Sequence, residues 1–180
     1  GTKSELEDFY GTIGEIYKNN VDIILCESMS SIFEGNHASK VAKEFSDRVW
    51  LSWTNRGHQP DQLPSTESLS KAVDFSIKAD VECTLINCSH ADMASNSIKD
   101  LKRAPKFGIF ANSSTFKEVD LSIATKDVDA IHHHNSEKIS AEEYAIIALS
   151  WAKSGAYVIG GCCGTTVEHT KQIKLLMESR

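Results

Sequence analysis

VDIILCE, residues 21–27, runs apolar from Ile23 to Cys26 without the alternation of a half-solvated strand. An unbroken run of this kind marks a strand covered on both faces, as in parallel sheets flanked by helices. Upstream, Leu6, Phe9, Tyr10, Ile13, Ile16 and Tyr17 recur at three- and four-residue spacing behind Ser4, which predicts a capped amphipathic helix. Downstream, Ser31 and Glu34 form a capping box for a helix running to about Phe45. The alternation then continues with strand VWLSWT (49–54), polar loop NRGHQPDQLPS (55–65), helix 66–79 and strand ECTLINC (82–88). A weaker helix near 92–103 precedes strand KFGIFANS (106–113), and the stretch from Ser114 to Ile139 carries no assignment. Ser140 and Glu143 open a helix that ends at Gly155, followed by strand AYVIGG (156–161) and a last helix from about Thr166. Five strands separated by helices are the rhythm of β/α units around a parallel sheet. A doubly wound sheet and part of an eight-stranded barrel share that rhythm. In either, function gathers at the carboxyl ends of the strands.

Bulk properties narrow the field. A chain of 180 residues is expected to form a single domain over its whole length. Its 41% hydrophobic and 24% charged residues are ordinary globular values. A net charge of −6 argues against a nucleic-acid or membrane surface. No apolar stretch approaches the roughly 18 residues of a transmembrane helix, and the polar start GTKSELED is unlike a signal peptide. Five scattered cysteines, an odd number, do not make a secreted disulfide framework. The expected home is the reducing cytoplasm, where clustered cysteines act as ligands or nucleophiles more often than as bridges.

Read at their carboxyl ends, the strands finish in Cys26-Glu27, Thr54-Asn55, Asn87-Cys88, Asn112-Ser113 and Gly161-Cys162-Cys163. Three cysteines from two strands therefore share one edge of the sheet. Adjacent cysteines close a strained ring if they bond to each other, so Cys162 and Cys163 call for another explanation. Flanking glycines Gly160, Gly161 and Gly164 would permit a bend that brings both thiols to one side. Strands two places apart lie roughly 10 Å from each other, a gap that inward-leaning thiols can span to share an ion with Zn–S bonds of about 2.3 Å. The expectation is a zinc site of Cys88, Cys162 and Cys163 with its fourth position open. The competing reading is that the cysteines are small buried hydrophobes; Cys26 and Cys83 are assigned to the core in that way.

GGCCGTTVEHTKQI (160–173) strongly resembles the closing motif of the homocysteine S-methyltransferases, and LINCSH (85–90) resembles their upstream cysteine motif. LCES (25–28) and ANSS (111–114) are similar to two further strand ends of that family, in the same order and spacing. The resemblance implies a (β/α)8 barrel of which this chain would hold the fourth to eighth strands. It implies zinc (Zn2+) held by three thiolates and a methyl transfer from S-methylmethionine or S-adenosylmethionine to the zinc-bound sulfur of homocysteine, giving methionine. Glu27 would be the catalytic carboxylate that receives the substrate amino group, with Asn112 and Ser113 as further substrate-binding residues. Selenocysteine or another small thiol as acceptor, and a non-catalytic zinc-binding fragment, are the alternatives. The family's combined Asp-Gly-Gly and Gly-Thr opening motif and the Thr-Asn-Thr strand that follows it are not found among these 180 residues. Either the remaining strands come from a longer parent chain or a partner, or the arc is rearranged into an open sheet, and the 180 residues alone are expected to show little or no activity.

Other candidates carry less. His132, His133 and His134 are consecutive, so they cannot all face one ion on a regular element, and a solvated loop is expected. His90 could line the pocket, close the fourth metal position or do neither. Trp50 and Trp53, three apart on one strand, should face opposite sides of the sheet.

Overall fold

The computed structural model describes residues 2–116 and 136–179. Helix α1 (Lys3–Tyr17) precedes strand β1 (Ile24–Met29), and helix α2 (Ile32–Ala42) leads to β2 (Val49–Trp53). Helix α3 (Leu69–Lys78) is followed by β3 (Cys83–His90), then by short helices α4 (Ala91–Asn96) and α5 (Ile98–Leu101) before β4 (Phe107–Asn112). Two three-residue strands, β5 (Ser114–Phe116) and β6 (Ser136–Lys138), pair antiparallel. Helix α6 (Ala141–Lys153), strand β7 (Val158–Gly161) and helix α7 (Val167–Glu178) complete the order. The main sheet has the order β1-β2-β3-β4-β7 with every pair parallel, the α/β arrangement expected.

The helices lie on one face of this sheet. Trp53 shows why: it is fully buried, its indole N–H donates to Ser76 Oγ of α3 at 3.0 Å, and α2 reaches its ring at Gly35. Val49, Leu51, Ile86 and Ile109 fill the same layer. Alternation places Leu25, Trp50, Phe110 and Val158 on the opposite face, where they are only half-buried. Trp50 and Trp53 thus face opposite sides, as their spacing requires. Helices on one face and, among the described residues, none on the other make the sheet an arc of a barrel and not a doubly wound sandwich. Tyr144 of α6 ties the arc's last two strands, its hydroxyl lying 2.9 Å from the carbonyl oxygens of both Ala111 and Gly160.

Several boundaries differ from the sequence reading. Thr2, not Ser4, caps α1, because Thr2 and Glu5 complete a capping box with both reciprocal bonds made. The apolar stripe of α1 is only partly covered: Tyr10 packs against the core, Phe9, Ile16 and Tyr17 are exposed, and the buried residue is Gly14, pressed on the Phe45 ring. The helix near 92–103 is two helices, broken where the buried Ser97 hydroxyl turns to Pro60 O at 2.9 Å and to Asn55. Cys26 and Cys83 are buried. The three consecutive histidines 132–134 lie outside the described residues. Among the described residues no helix is long and apolar enough to cross a membrane.

Candidate metal centre

Strand β3 holds regular register with β4 as far as Asn87, and the ladder then slips before His90 pairs with Asn112. Inside the slip sits Cys88, whose φ of 52° is left-handed, a conformation that costs a non-glycine residue roughly 1–2 kcal/mol. Regular alternation would send the Cys88 side chain to the helix layer with Ile86; the left-handed residue breaks that alternation. At the end of β7 the Cys162 N–H donates to Ala111 O at 2.8 Å, continuing the ladder by one bond. The chain then turns. Thr165 donates through both its N–H (3.2 Å) and its hydroxyl (2.7 Å) to Cys162 O. Gly164 takes φ +78°, which a residue with a Cβ rarely adopts. Of the three glycines expected to permit the bend, Gly164 is the one with a left-handed backbone. Gly160 serves otherwise: a Cβ there would stand 2.9 Å from the Phe110 ring.

Because β3 and β7 flank β4, these two irregular ends converge. Sγ of Cys88 lies 3.6 Å from Sγ of Cys163, and the sulfurs of Cys88, Cys162 and Cys163 all fall within 4.8 Å of one another. Tetrahedral ligands at Zn–S bonds of about 2.3 Å stand about 3.8 Å apart. The triad is thus close to the size that one such ion requires. His90 is not part of this group among the described residues; it is buried, with its Nδ1 at 2.8 Å from Ser114 Oγ.

The thiols perturb each other. The hydrogen bond from Cys88 is the largest influence holding Cys162 down at about 6, aided by bonds from Cys163 and opposed by burial and by the charge of Glu27. Cys88 is pushed up, first because it donates to Cys162 and then by burial and by both neighbouring sulfurs. The thiolate is favoured at Cys162, and a second anion at Cys88 is resisted unless a cation joins it. A divalent ion supplies that charge and would favour the thiolate form of all three. By contrast, burial pushes Cys26 and Cys83 up to about 12, so they remain thiols.

The other expected residues surround this group. Glu27 is exposed at the end of β1, its Oε1 accepting from Asn87 Nδ2 at 3.1 Å, and its charge reaches Cys162. Asn112 and Ser113 are bonded to the cysteine turn: Asn112 Oδ1 accepts from Cys163 N–H at 3.0 Å, and Ser113 N–H donates to Cys163 O at 3.0 Å. Sequence reading passed over Asn87, Ser28 and Ser52. The available signal was a polar Asn87 set in a run of buried apolar residues, where an amide must find partners.

The family model for homocysteine S-methyltransferase matches residues 1–177. The chain belongs to the homocysteine S-methyltransferase family. Homocysteine S-methyltransferase YbgG of Bacillus subtilis (strain 168) is 23% identical over 176 residues, which cover 96% of this chain and 52% of the relative. Among solved structures, the apo form of the homocysteine methyltransferase MmuM from Escherichia coli superposes with a TM-score of 0.72 at 18% identity, covering 97% of this chain and 57% of that one. The metallated form of MmuM gives a TM-score of 0.70 at 18% identity, with 97% and 52% covered. The chain thus spans about half the length of the homocysteine S-methyltransferase relatives it matches. Its five parallel strands are a partial barrel of that fold.

Proposed function

We propose that this chain carries the metal-binding half of a zinc-dependent methyltransferase that moves a methyl group from a sulfonium donor to the sulfur of homocysteine, giving methionine. The observation that carries the reading is the convergence of Cys88, Cys162 and Cys163 within 4.8 Å at the carboxyl edge of the sheet. Three protein ligands leave a fourth position for substrate, the catalytic pattern of zinc sites, whereas structural sites are usually closed by four. Family membership and a metallated form of one solved neighbour add support. When bound, zinc would supply Lewis-acid activation, favouring the thiolate of a substrate whose free pKa of about 8.5 leaves it mostly protonated at neutral pH. The sulfur's electron pair forms the new bond to the methyl carbon. The sulfonium carbon–sulfur bond breaks with its pair returning to the donor sulfur, and the thiol proton passes to solvent water. Glu27 would receive the substrate ammonium beside the sulfurs, a position consistent with its charge reaching Cys162. Asn112 and Ser113 would serve the site by holding the Cys162–Cys163 turn, and any contact they make with the amino acid comes in addition. S-Methylmethionine and S-adenosylmethionine are both donors of the required class.

The open sheet face and the half-length coverage favour a companion reading, in which this chain binds metal but turns over only when further strands complete the barrel. Those strands would come from a longer parent chain or a partner. The deciding experiment measures zinc content and methionine formation from homocysteine with either donor, on the wild type and Cys162→Ser. About one zinc per chain, lost in the variant, supports the metal site; methionine formation then separates the two readings. A chain purified under reducing conditions that holds no zinc would overturn both.

A further inference from the structure

Asn87 is fully buried, yet every bonding position of its amide is used. Its Oδ1 accepts from Ser52 Oγ at 2.6 Å and from the Ser28 N–H at 3.1 Å. Its Nδ2 donates to Ser28 Oγ at 2.7 Å and to Glu27 Oε1 at 3.1 Å. A backbone N–H can only donate, so the Ser28 contact fixes which amide atom is the oxygen and sends the nitrogen to Glu27. The amide joins three strands: β1 supplies Glu27 and Ser28, β2 supplies Ser52, and β3 carries Asn87 itself. Both strand ends joined here are kinked. Ser28 has φ 60° and Cys88 has φ 52°, each inside a slip of its ladder. One side chain therefore grips the irregular end of β1 while its own backbone leads directly into the first cysteine of the triad.

We propose that Asn87 is the positioning residue of this site: it holds the Glu27 carboxylate in register with the sulfur triad, so that the two ends of an amino thiol are met at once. Ser52 is the brace that holds Asn87. The inference rests on the reading of Glu27 as the acceptor of the substrate ammonium. Glu27 is exposed, and without the amide its carboxylate would be free to leave for solvent. Aspartate cannot replace Asn87, since it keeps both acceptor bonds but presents an anion to Glu27 in place of an N–H.

The test uses this chain loaded with cobalt(II), whose thiolate charge-transfer absorption reports a sulfur entering the metal's coordination shell. Homocysteine and 4-mercaptobutanoate, which lacks the amino group, are titrated against wild type, Glu27→Gln, Asn87→Asp, Ser52→Ala and Ser52→Thr. Circular dichroism and cobalt content verify that each variant folds and binds metal. Wild type is expected to prefer homocysteine by roughly tenfold or more, the worth of one charge-assisted hydrogen bond. Glu27→Gln and Asn87→Asp should both lose that preference while binding 4-mercaptobutanoate like wild type. Ser52→Ala should lose part of it, and Ser52→Thr, which keeps the hydroxyl, should restore it. Loss of preference in Glu27→Gln with full preference retained in Asn87→Asp and Ser52→Ala overturns the positioning role and leaves the role of Glu27 standing. No preference in wild type, or no thiol response at all, overturns the Glu27 reading and this inference together. Should Asn87→Asp fail to fold, the Ser52 pair decides alone: equal preference in alanine and threonine variants overturns the inference.

Discussion

Gly164 joins the two cysteines to the last helix at φ +78°, and a Cβ built there would stand 2.6 Å from Ser113 Oγ. Gly164→Ala therefore meets both a left-handed backbone, worth roughly 1–2 kcal/mol against a side chain, and the hydroxyl of a buried serine. The expected result is a loss of about 1–3 kcal/mol in urea unfolding, with weakened zinc binding, because Ser113 N–H also holds the Cys163 carbonyl. Unchanged stability and zinc affinity in the variant would show that the turn tolerates a different path. A second prediction follows from the thiols. The nucleophile is the thiolate, formed above a group's pKa, and Cys162 is held down at about 6 chiefly by the bond from Cys88. In the metal-free reduced chain, iodoacetamide should label Cys162 first, with a rate that falls as pH drops through about 6. Cys26 and Cys83, buried and pushed up to about 12, should stay unlabelled at neutral pH. Peptide mass spectrometry reads the order, and added zinc should abolish the Cys162 signal. At this scale the cysteines were legible because their placement depends on strand ends that the sequence marks. Asn87 was not, because its partners lie 35 and 59–60 residues away and the left-handed turns at Ser28 and Cys88 arise only when the strands are aligned.

The elements meet through close approaches whose cost can be weighed. Helix α2 crosses β2 at Gly35, where a Cβ would come within 2.5 Å of the Trp53 ring. Gly→Ala inside a helix usually gains up to about 1 kcal/mol, but overpacking a full core costs about 1–3 kcal/mol. Trp53 is fully buried and anchored through Ser76, so it cannot retreat. Gly35→Ala should therefore lose about 1 kcal/mol or more net, seen as a lower denaturant midpoint; a gain would mean the helix shifts freely over β2. At the opposite end of the sheet, Glu82 ahead of β3 accepts from Arg48 Nε at 2.8 Å and from Lys106 Nζ at 3.3 Å, joining the starts of β2, β3 and β4. The Arg48 bond chiefly holds the Glu82 carboxyl down at about 2. A carboxylate with a depressed folded pKa contributes stability that is present above its unfolded value and lost as pH falls through the folded one. Melting temperature should thus drop between about pH 4.5 and 2, and Glu82→Gln should flatten part of that drop. A variant with the wild-type acid profile would assign the loss to other carboxylates. Helices and strands here were legible to within a few residues, since unbroken apolar runs and serine caps are local signals, although Glu34 turns to Ser30 and leaves the Ser31 capping box half made. The break at Ser97 and the pairing of β5 with β6 were not, because Ser97 answers to Asn55 and Pro60, and three-residue strands carry no periodicity.

Among the described residues, helices cover one face of the sheet, while the other carries no helix and buries only its centre, at Ser52, Cys83 and Leu85. Trp50, Phe110 and Val158 are half-buried on that second face, and among the described residues β1 and β7 are the sheet's unpaired edges. Unpaired edges beside apolar surface invite association with other chains. The 180-residue chain alone should self-associate as its concentration rises and should bind a hydrophobic dye, as light scattering and fluorescence would report. The relatives it matches are about twice as long, so the same face belongs to a barrel interior if further strands complete it. Phe110→Ser distinguishes the two settings. In the isolated chain the ring is only partly buried, against Gly160, so the substitution should cost about 1–2 kcal/mol and reduce self-association. Inside a completed barrel, deleting most of an aromatic ring should cost about 3–5 kcal/mol. Measuring urea unfolding of Phe110→Ser in this chain, alone and together with the strands that complete the barrel, reads the difference directly. A large loss in the isolated chain would mean that it already covers this face, for instance by pairing with a second copy. In that case zinc content and methionine formation should be measured on the assembled form, since the edge carrying Cys162 and Cys163 would sit at the junction.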